Sequence, residues 1–295
     1  MKKVIVTGAT GFIGKALVKS LLKSNFEVWA IARSPKKLED IISEPNLKII
    51  QADFNELIKL KEKISDKNFE CFYHFAWEGC GYSSNDYNVQ YKNIKYSCDA
   101  IELAISLNCQ KFFFPESSHE YLKDKDGVLS NIYGIAKTCA KNMCKAIAKE
   151  NNIIYLGGIF ANVFGIGDYS NRSANTIIKK LLENKEIDLI EGQNFHEWTY
   201  IDDAIDAINK ICEEGKAGNS YFIARKDMYT FREIILIAKK ALSSKSKLNF
   251  GYYEEKEWIH YSEIQRNLIF KDTSFVINDN LEAQIINHAK WLKNN

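Results

Sequence analysis

Tyr133 and Lys137 are the residues of this chain best spaced to act together. They lie four positions apart at the start of a helical pattern, which sets both side chains on one face, one turn apart. A phenol alone, with a pKa of about 10, is a poor acid–base group at neutral pH. A neighbouring ammonium favours tyrosinate and lowers that pKa, so the pair can give a proton to a carbonyl oxygen or take one from an alcohol. The same spacing also arises on plain solvated helix surface. A second group, Gly8, Gly11 and Gly14, follows the apolar run Val4 to Val6 at three-residue intervals. Glycines at a strand-to-helix turn let the backbone bend and approach a ligand with no Cβ in the way. The helix that begins there (Phe12, Ile13, Ala16, Leu17, Leu21, Leu22) aims unpaired N–H groups and its positive dipole end at the same spot. That suits a pyrophosphate and is the physics of a dinucleotide site at a first βα turn; an ordinary turn is the other reading.

These residues need a scaffold, and the sequence supplies one. Strand patterns fall at residues 2–7, 27–32, 48–51, 70–75, 111–114 and 153–158, with helical periodicity at 12–24, 55–65, 86–107 and 132–150. Apolar strands separated by crossover-length segments mean a parallel sheet covered on both faces, here a Rossmann-type doubly wound α/β domain. From residue 162 the rhythm breaks up: a helix at 174–184, a hairpin around Glu191-Gly192, a helix from about Asp203 to Glu214, a strand at 220–224, and helices at 230–242 and 280–293. The expected division is a nucleotide-binding domain over 1–161, with about 197–224 returning to it. Residues 162–196 and 225–295 then form a smaller mixed α/β lobe.

Composition narrows the class. Lys and Arg total 40 against 38 Asp and Glu, so no basic face for nucleic acid is implied. Five of the 40 are Arg (residues 33, 172, 225, 232 and 266), each a candidate for a specific contact. The seven cysteines are scattered without a Cys-x-x-Cys pair, which points to reduced thiols, no metal site and the cytoplasm. The chain opens directly on a strand, so no signal peptide is expected. No apolar run approaches the roughly 20 residues that span a bilayer, so no membrane partner is expected either. The second strand ends Ala32-Arg33-Ser34, with Lys36 and Lys37 close behind. NAD-selective sites place a carboxylate there for the adenosine ribose, whereas a guanidinium fork suits a 2′-phosphate. The expected cofactor is NADP; a basic surface loop is the alternative.

With Asp53, Ser117, Tyr133 and Lys137, the Gly8-x-x-Gly11-x-x-Gly14 turn resembles the short-chain dehydrogenase/reductase superfamily. It is most similar to the extended branch, the epimerase, dehydratase and reductase enzymes of nucleotide sugars. The likeness is strong to about Lys145, fair at 153–168 and 196–207, and thin beyond. It implies a cofactor site of Gly8, Thr10, Gly11, Phe12, Ile13, Arg33, Asp53 and Phe54, closed by Phe75, Ala76, Trp77, Asn93, Tyr133 and Lys137. In this likeness Asp53 accepts from the adenine amino group, although a helix N-cap explains it equally. Phe75 and Ala76 line the cofactor, His74 is structural, and Lys137 also holds the nicotinamide ribose. Ser117 corresponds to the catalytic Ser or Thr four residues before Tyr121, orienting the reacting oxygen toward Tyr133, with Ser118 as fallback. Asn93 would steady the strand that carries Ser117.

The substrate side is implied in the same way. Ala161-Asn162-Val163-Phe164-Gly165-Ile166-Gly167 resembles Asn-Val-Tyr-Gly-Pro-Gly, so Asn162 contacts the diphosphate region, and Ile166 replaces the Pro. His196-Glu197-Trp198-Thr199-Tyr200-Ile201-Asp202-Asp203 resembles Arg-Asp-Phe-x-Tyr-Val-Asp-Asp, with His196 where the family has a diphosphate-binding Arg. Arg172, Lys179 or Arg225 would compensate, or the head group differs; Asp202 and Asp203 read as caps of the next helix. Trp77 and Tyr87 flank the loop after the fourth strand, where an aromatic would cover the sugar; surface or core packing is the alternative. The Asp-Glu pair of the dehydratases is Ser118-His119 here, which disfavours 4,6-dehydration. His119 and Glu120 serve proton transfer or a loop hydrogen bond. Sixteen positions separate Ser117 from Tyr133, a trimmed loop, and Leu122 replaces a Gly. The expected function is NADPH-dependent reduction of a 4-keto nucleoside-diphosphate sugar by a homodimer. Its helices near Asp86 and Ile132 would pair through Ile94, Ala100, Ile101 and Ala104, a stripe that fits burial within one chain as well. An epimerase or dehydrogenase on the same residues is the alternative, and a non-catalytic NADP sensor a further one.

Overall fold

Alternation decides the central sheet. In β1 (Lys3–Thr7) Val4 and Val6 point to one face and Ile5 to the other, and all three are fully buried. A strand apolar on both sides must be covered on both sides. The computed structural model, which describes residues 1–80, 84–277 and 280–295, does this with α1 (Phe12–Lys23), β2 (Glu27–Ala32), β3 (Leu47–Gln51), β4 (Cys71–His74), α2 (Tyr87–Ser106), β5 (Lys111–Ser117), β6 (Leu122–Asp124), α3 (Ile132–Glu150) and β7 (Ile154–Phe160). The chain continues through β8 (Asn162–Phe164), α4 (Ser173–Leu182), β9 (Ile187–Ile190), β10 (Phe195–His196), β11 (Trp198–Tyr200), α5 (Ile201–Glu214) and β12 (Ser220–Phe222). It ends with β13 (Tyr229–Thr230), α6 (Phe231–Ala241), β14 (Leu248–Tyr253), β15 (Glu257–Ile259), α7 (Leu268–Thr273) and α8 (Leu281–Asn294).

Seven strands form a parallel sheet in the order β12-β7-β5-β4-β1-β2-β3. The order reverses between β1 and β4, which opens the crevice at the carboxyl ends of the strands where such sheets bind ligands. Leu17 and Val18 of α1 and Ile205, Ile208 and Ile211 of α5 cover one face. Ala100, Ile101 and Ala104 of α2 and Ala140 and Cys144 of α3 cover the other. The stripe expected to pair two copies is thus spent within the chain: Ala100, Ile101 and Ala104 are fully buried against Phe112 and Phe114. The outer surface of these helices carries Tyr91, Ile135 and Met143 instead.

Beyond residue 161 the short strands find distant partners. The expected hairpin at Glu191-Gly192 does not form. Gly192 does turn, at φ +72°, but β9 pairs in parallel with β14 and β10 antiparallel with β13. Helices α4, α6 and α8 pack on one another, and their apolar residues run without a break into the cluster beneath α1 and α5. Antiparallel pairing of β15 with β6 fastens the C-terminal region to the segment directly after Ser117. The stretch expected as a helix at 55–65 is a 3₁₀ segment over Phe54–Glu62. Residues 248–273 hold β14, β15 and α7, which their irregular periodicity did not announce. Among the described residues no helix is long and apolar enough to cross a membrane.

Candidate active site

The glycine turn is built as its spacing requires. Gly8 has φ +66°, and a Cβ there would stand 2.5 Å from the Phe75 carbonyl carbon and 2.7 Å from the Ala76 nitrogen. A Cβ on Gly14 would collide with the Gly8 carbonyl, so helix and turn lie backbone on backbone. Gly11 is the N-cap of α1 and offers no side-chain acceptor, which leaves the first-turn N–H groups of Phe12 and Ile13 facing the crevice mouth beside Thr10. Phe75 stacks on Phe113 with ring centroids 5.7 Å apart, flooring the same crevice. His74 is structural: buried, it shares a hydrogen bond with Thr7 Oγ1 at 2.9 Å and lies between the Phe112 and Phe114 rings. Burial lowers its pKa to about 3.

At the far end of β2, Arg33 holds its guanidinium 5.1 Å from the Phe54 ring and 3.4 Å from Glu78 Oε1. Asp53 caps the 3₁₀ segment, its carboxylate accepting from the Phe54 N–H at 2.6 Å while Glu56 reaches back to the Asp53 N–H. The expected N-cap role is therefore present, and it brings Asp53, Phe54 and Arg33 to one corner. Asn93 serves a different segment from the one expected. Its side chain accepts from the Glu78 N–H at 3.0 Å and donates to the Glu78 carbonyl at 2.7 Å, clamping the loop after β4 and not β5. The α2 turn that carries Asn93 faces residues 77–79.

Tyr133 and Lys137 stand on the first turns of α3, started by Asn131, whose side chain accepts from the Gly134 N–H at 2.6 Å. Burial of the Tyr133 hydroxyl raises its pKa, with Cys80 adding to the rise; hydrogen bonding to Ser117 and the Arg172 charge oppose it. The expected lowering by Lys137 is not what the geometry gives. Lys137 Nζ donates to the Pro115 carbonyl at 2.8 Å and sits 6.0 Å from the Tyr133 ring centre. Burial lowers the Lys137 pKa to about 8. A phenol held protonated beside Ser117 is a proton donor.

Ser117 ends β5 and caps the turn that follows. Its Oγ accepts from the His119 N–H at 3.2 Å, and its own N–H donates to Glu120 Oε1 at 2.9 Å. Glu120 is paired in turn with Lys141. Sequence reasoning missed this support because Glu120 and Lys141 are 21 positions apart; Lys141 lies one turn past Lys137. Glu120 is thus the loop hydrogen-bond residue. Ser118 is buried, its Oγ without a hydrogen-bond partner among the described residues. The His119 ring stands edge-on to Tyr133 at 5.7 Å. Trp77 also stands edge-on to Tyr133, at 6.0 Å.

Across the crevice, Asn162 and His196 come together. The Asn162 amide nitrogen lies 2.9 Å from His196 Nε2, an arrangement in which a neutral imidazole accepts. Burial lowers the His196 pKa to about 4, so no cation stands there at neutral pH. Arg225 is no replacement: it is buried in an ion pair with Glu197 and donates to the Trp198 carbonyl at 2.6 Å and Gln284 at 2.9 Å. Lys179 is exposed midway along α4. Arg172, just before α4, bonds Asp168 at 3.1 Å and hangs 5.9 Å from the Phe12 ring, facing the glycine turn. Asp202 and Asp203 lie within the first turn of α5 instead of capping it, and Asp203 accepts from Gln284 at 2.6 Å.

Known proteins resemble this chain in sequence and in fold. The chain is 27% identical to the CDP-abequose synthase of Salmonella muenchen over 257 residues, 85% of this chain and 84% of that one. It is 23% identical to the dTDP-4-dehydro-6-deoxyglucose reductase of Escherichia coli over 266 residues, 84% of each. Its fold matches the UDP-glucuronic acid 4-epimerase of Bacillus cereus, solved with UDP-glucuronic acid and NAD, at a TM-score of 0.81 and 22% identity over 99% of both chains. The pattern of the NAD dependent epimerase/dehydratase family matches residues 4–224. That match spans well over half of the chain, including the glycine turn, Ser117, Tyr133 and Lys137, and the chain belongs to that family.

Proposed function

We propose that this enzyme reduces the 4-keto group of a nucleoside-diphosphate sugar with NADPH. The observation that carries the reading is the Tyr133 phenol, kept protonated by burial, one helical turn from a buried Lys137 whose Nζ donates to the Pro115 carbonyl. NADP fits the residues present: α1 starts at Gly11 with no side chain capping its first N–H groups, which suits a pyrophosphate, and Arg33 stands where an NAD-selective chain would carry an acid. Lys137 would hold its ribose hydroxyls, and Phe54 and Arg33 its adenine end; when bound, the cofactor would supply the hydride. Ser117 donates to the ketone oxygen and orients it, and Tyr133 delivers the proton as that oxygen becomes an alcohol. The name of the Escherichia relative favours a 6-deoxy sugar. Ser118 and His119 in place of an acidic pair favour reduction over dehydration.

For the substrate's diphosphate, the neutral Asn162–His196 pair offers hydrogen bonds without charge. Arg172, reaching toward the glycine turn from the start of α4, is the cation we assign to it. A homodimer through the outer faces of α2 and α3, with Tyr91, Ile135 and Met143 at its centre, belongs to the same reading. The test is incubation with NADPH and a panel of UDP-, dTDP-, CDP- and GDP-linked 4-keto sugars, following NADPH absorbance and product mass. Oxidation of NADPH with one member of the panel is expected. Epimerised product with no net oxidation would replace the reductase reading by the epimerase one.

A further inference from the structure

The sequence left Trp77 between two roles, covering a ligand or packing, and its surroundings fit neither alone. The Lys137 ammonium lies 3.8 Å from the centre of the Trp77 ring and 4.9 Å from that of Phe114. The edge of the same indole meets the Tyr133 ring at 86°. One side chain therefore touches both members of the Tyr–Lys pair, whose own separation leaves them without a direct hydrogen bond.

The indole is itself fastened. Its Nε1–H donates to Gln90 Oε1 at 3.0 Å, and Gln90, buried on α2, donates to the Gly79 carbonyl at 2.9 Å. Asn93, one turn along, bonds the backbone of Glu78 in both directions and reaches Gln90 Oε1 at 3.3 Å. Packing alone would not require that the ring be held at its N–H from one helix while its face meets a charge on another. A π face attracts an ammonium without consuming a hydroxyl-type partner. Lys137 gives one N–H to Pro115, and an ammonium has three, so donors remain for the hydroxyls of a ligand.

We propose that Trp77 is a positioning residue: its indole face seats the Lys137 ammonium and its edge abuts Tyr133, holding the pair in register for the reacting oxygen. This rests on the reading of Tyr133 and Lys137 given above. It places a requirement for an aromatic ring at a position that the glycine turn and the Tyr–Lys spacing do not mention.

The test compares Trp77→Leu, Trp77→Phe and wild type by two independent readouts. In the reductase assay, with NADPH and the panel sugar that the wild type consumes, Trp77→Leu should lose about ten- to thirtyfold in kcat, equivalent to about 1.4–2 kcal/mol at about 1.4 kcal/mol per decade. KM for the sugar should stay within about twofold. Trp77→Phe, which keeps a π face, should recover most of the loss. Burial disfavours the ammonium while Cys80, Glu120 and Glu116 favour it; losing the indole face removes a further stabilising contact, so the alkaline limb of the kcat profile should move to lower pH in Trp77→Leu. Equal losses in both variants with an unmoved pH profile, or full activity in Trp77→Leu, would overturn the proposal. The second readout needs no turnover: in NMR of the protein with ¹³C-labelled lysine, the Lys137 ε-methylene protons should be shifted upfield by the indole ring current, and the shift should vanish in Trp77→Leu. An unshifted Lys137 in the wild type overturns the proposal even where the assay is silent. An upfield Lys137 in a protein that oxidises NADPH with no panel sugar keeps it and defeats the reductase reading instead.

Discussion

Replacing Arg33 by Ala should separate NADPH from NADH, and the size of the effect follows from what the guanidinium does now. Its partners are Glu78 Oε1 at 3.4 Å and the face of Phe54 at 5.1 Å, with both charged side chains about half exposed (50% and 48%). An exposed ion pair of this kind contributes about 0–1 kcal/mol. A charge-assisted pairing with a 2′-phosphate contributes about 1.5–3 kcal/mol. Exchanging one for the other leaves a net gain of about 1–2 kcal/mol, or about 5- to 30-fold in affinity. Arg33→Ala should therefore weaken NADPH by that factor and leave NADH within about twofold, since the bare ribose asks nothing of the guanidinium. Glu78→Gln should act oppositely, tightening NADPH, because it removes both the competitor for Arg33 and a negative charge facing the phosphate. Fluorescence or calorimetric titration with the two nucleotides reads these changes directly, and raised salt should shrink the NADPH advantage. Equal weakening of both nucleotides by Arg33→Ala, or tighter NADH binding in the wild type, would refute the reasoning.

Other outcomes follow from the same geometry. Tyr133→Phe should cut kcat by about 10²–10⁴ with NADPH affinity unchanged, as removal of the proton donor alone requires; single-turnover NADPH oxidation measures it. Arg225→Ala strands the Glu197 carboxylate inside the protein and should cost about 3–5 kcal/mol, lowering Tm by about 5–10 °C. A double replacement of Arg225 and Glu197 by Met and Leu should melt closer to wild type. His74, with a folded pKa of about 3 against an ordinary 6.5, binds its proton less readily folded than unfolded. Its contribution is complete above pH 6.5 and falls away as pH drops through the window below, by up to about 1.4 kcal/mol per pH unit. Melting curves from pH 7 to 5 should fall less steeply for His74→Gln than for wild type.

What could be read from the sequence was local, and what could not was carried by distant pairs. The β1 turn declares itself because strand, glycines and helix are contiguous within residues 3–23, and Tyr133 and Lys137 because four positions make one helical turn. Gly192 likewise announced a turn, and the turn is there. Its flanking strands could not announce that their partners, Leu248–Tyr253 and Tyr229–Thr230, come later in the chain. The Asn162–His196 contact spans 34 positions, and only burial reveals that the imidazole there is neutral. Asn93 was legible as a supporting residue but not what it supports, since the period of α2 fixes its face and not the loop that face meets.

Helix α3 shows how the site reconciles buried charge with chemistry. Lys137, Lys141 and Lys145 recur every four residues and form one inward stripe toward the carboxyl ends of β5 and β7. Three ammonium groups so placed would repel one another and resist burial unless each were matched. Lys141 is matched by Glu120, with Glu116 3.8 Å away. Lys145 donates to Ser220 Oγ at 2.7 Å, which donates on to Glu116, and Tyr155 bonds the same carboxylate oxygen at 2.9 Å. A Cβ on Gly157 would collide with that carboxylate, so the glycine in β7 makes room for the network. Lys141 and Lys145 are thus committed to locking Glu116 and Glu120, and through Glu120 the Ser117 backbone, in place. Lys137 differs in its network: it has a carbonyl and aromatic faces, whereas Lys141 pairs with Glu120 directly and Lys145 reaches Glu116 through Ser220. A full salt bridge there would hold the ammonium against any ligand, whereas a carbonyl and a π face bind it firmly enough to bury it and weakly enough to share it with a diol. The same repeat along one helix therefore yields two rigid anchors and one adaptable donor, and the donor is the lysine nearest Tyr133.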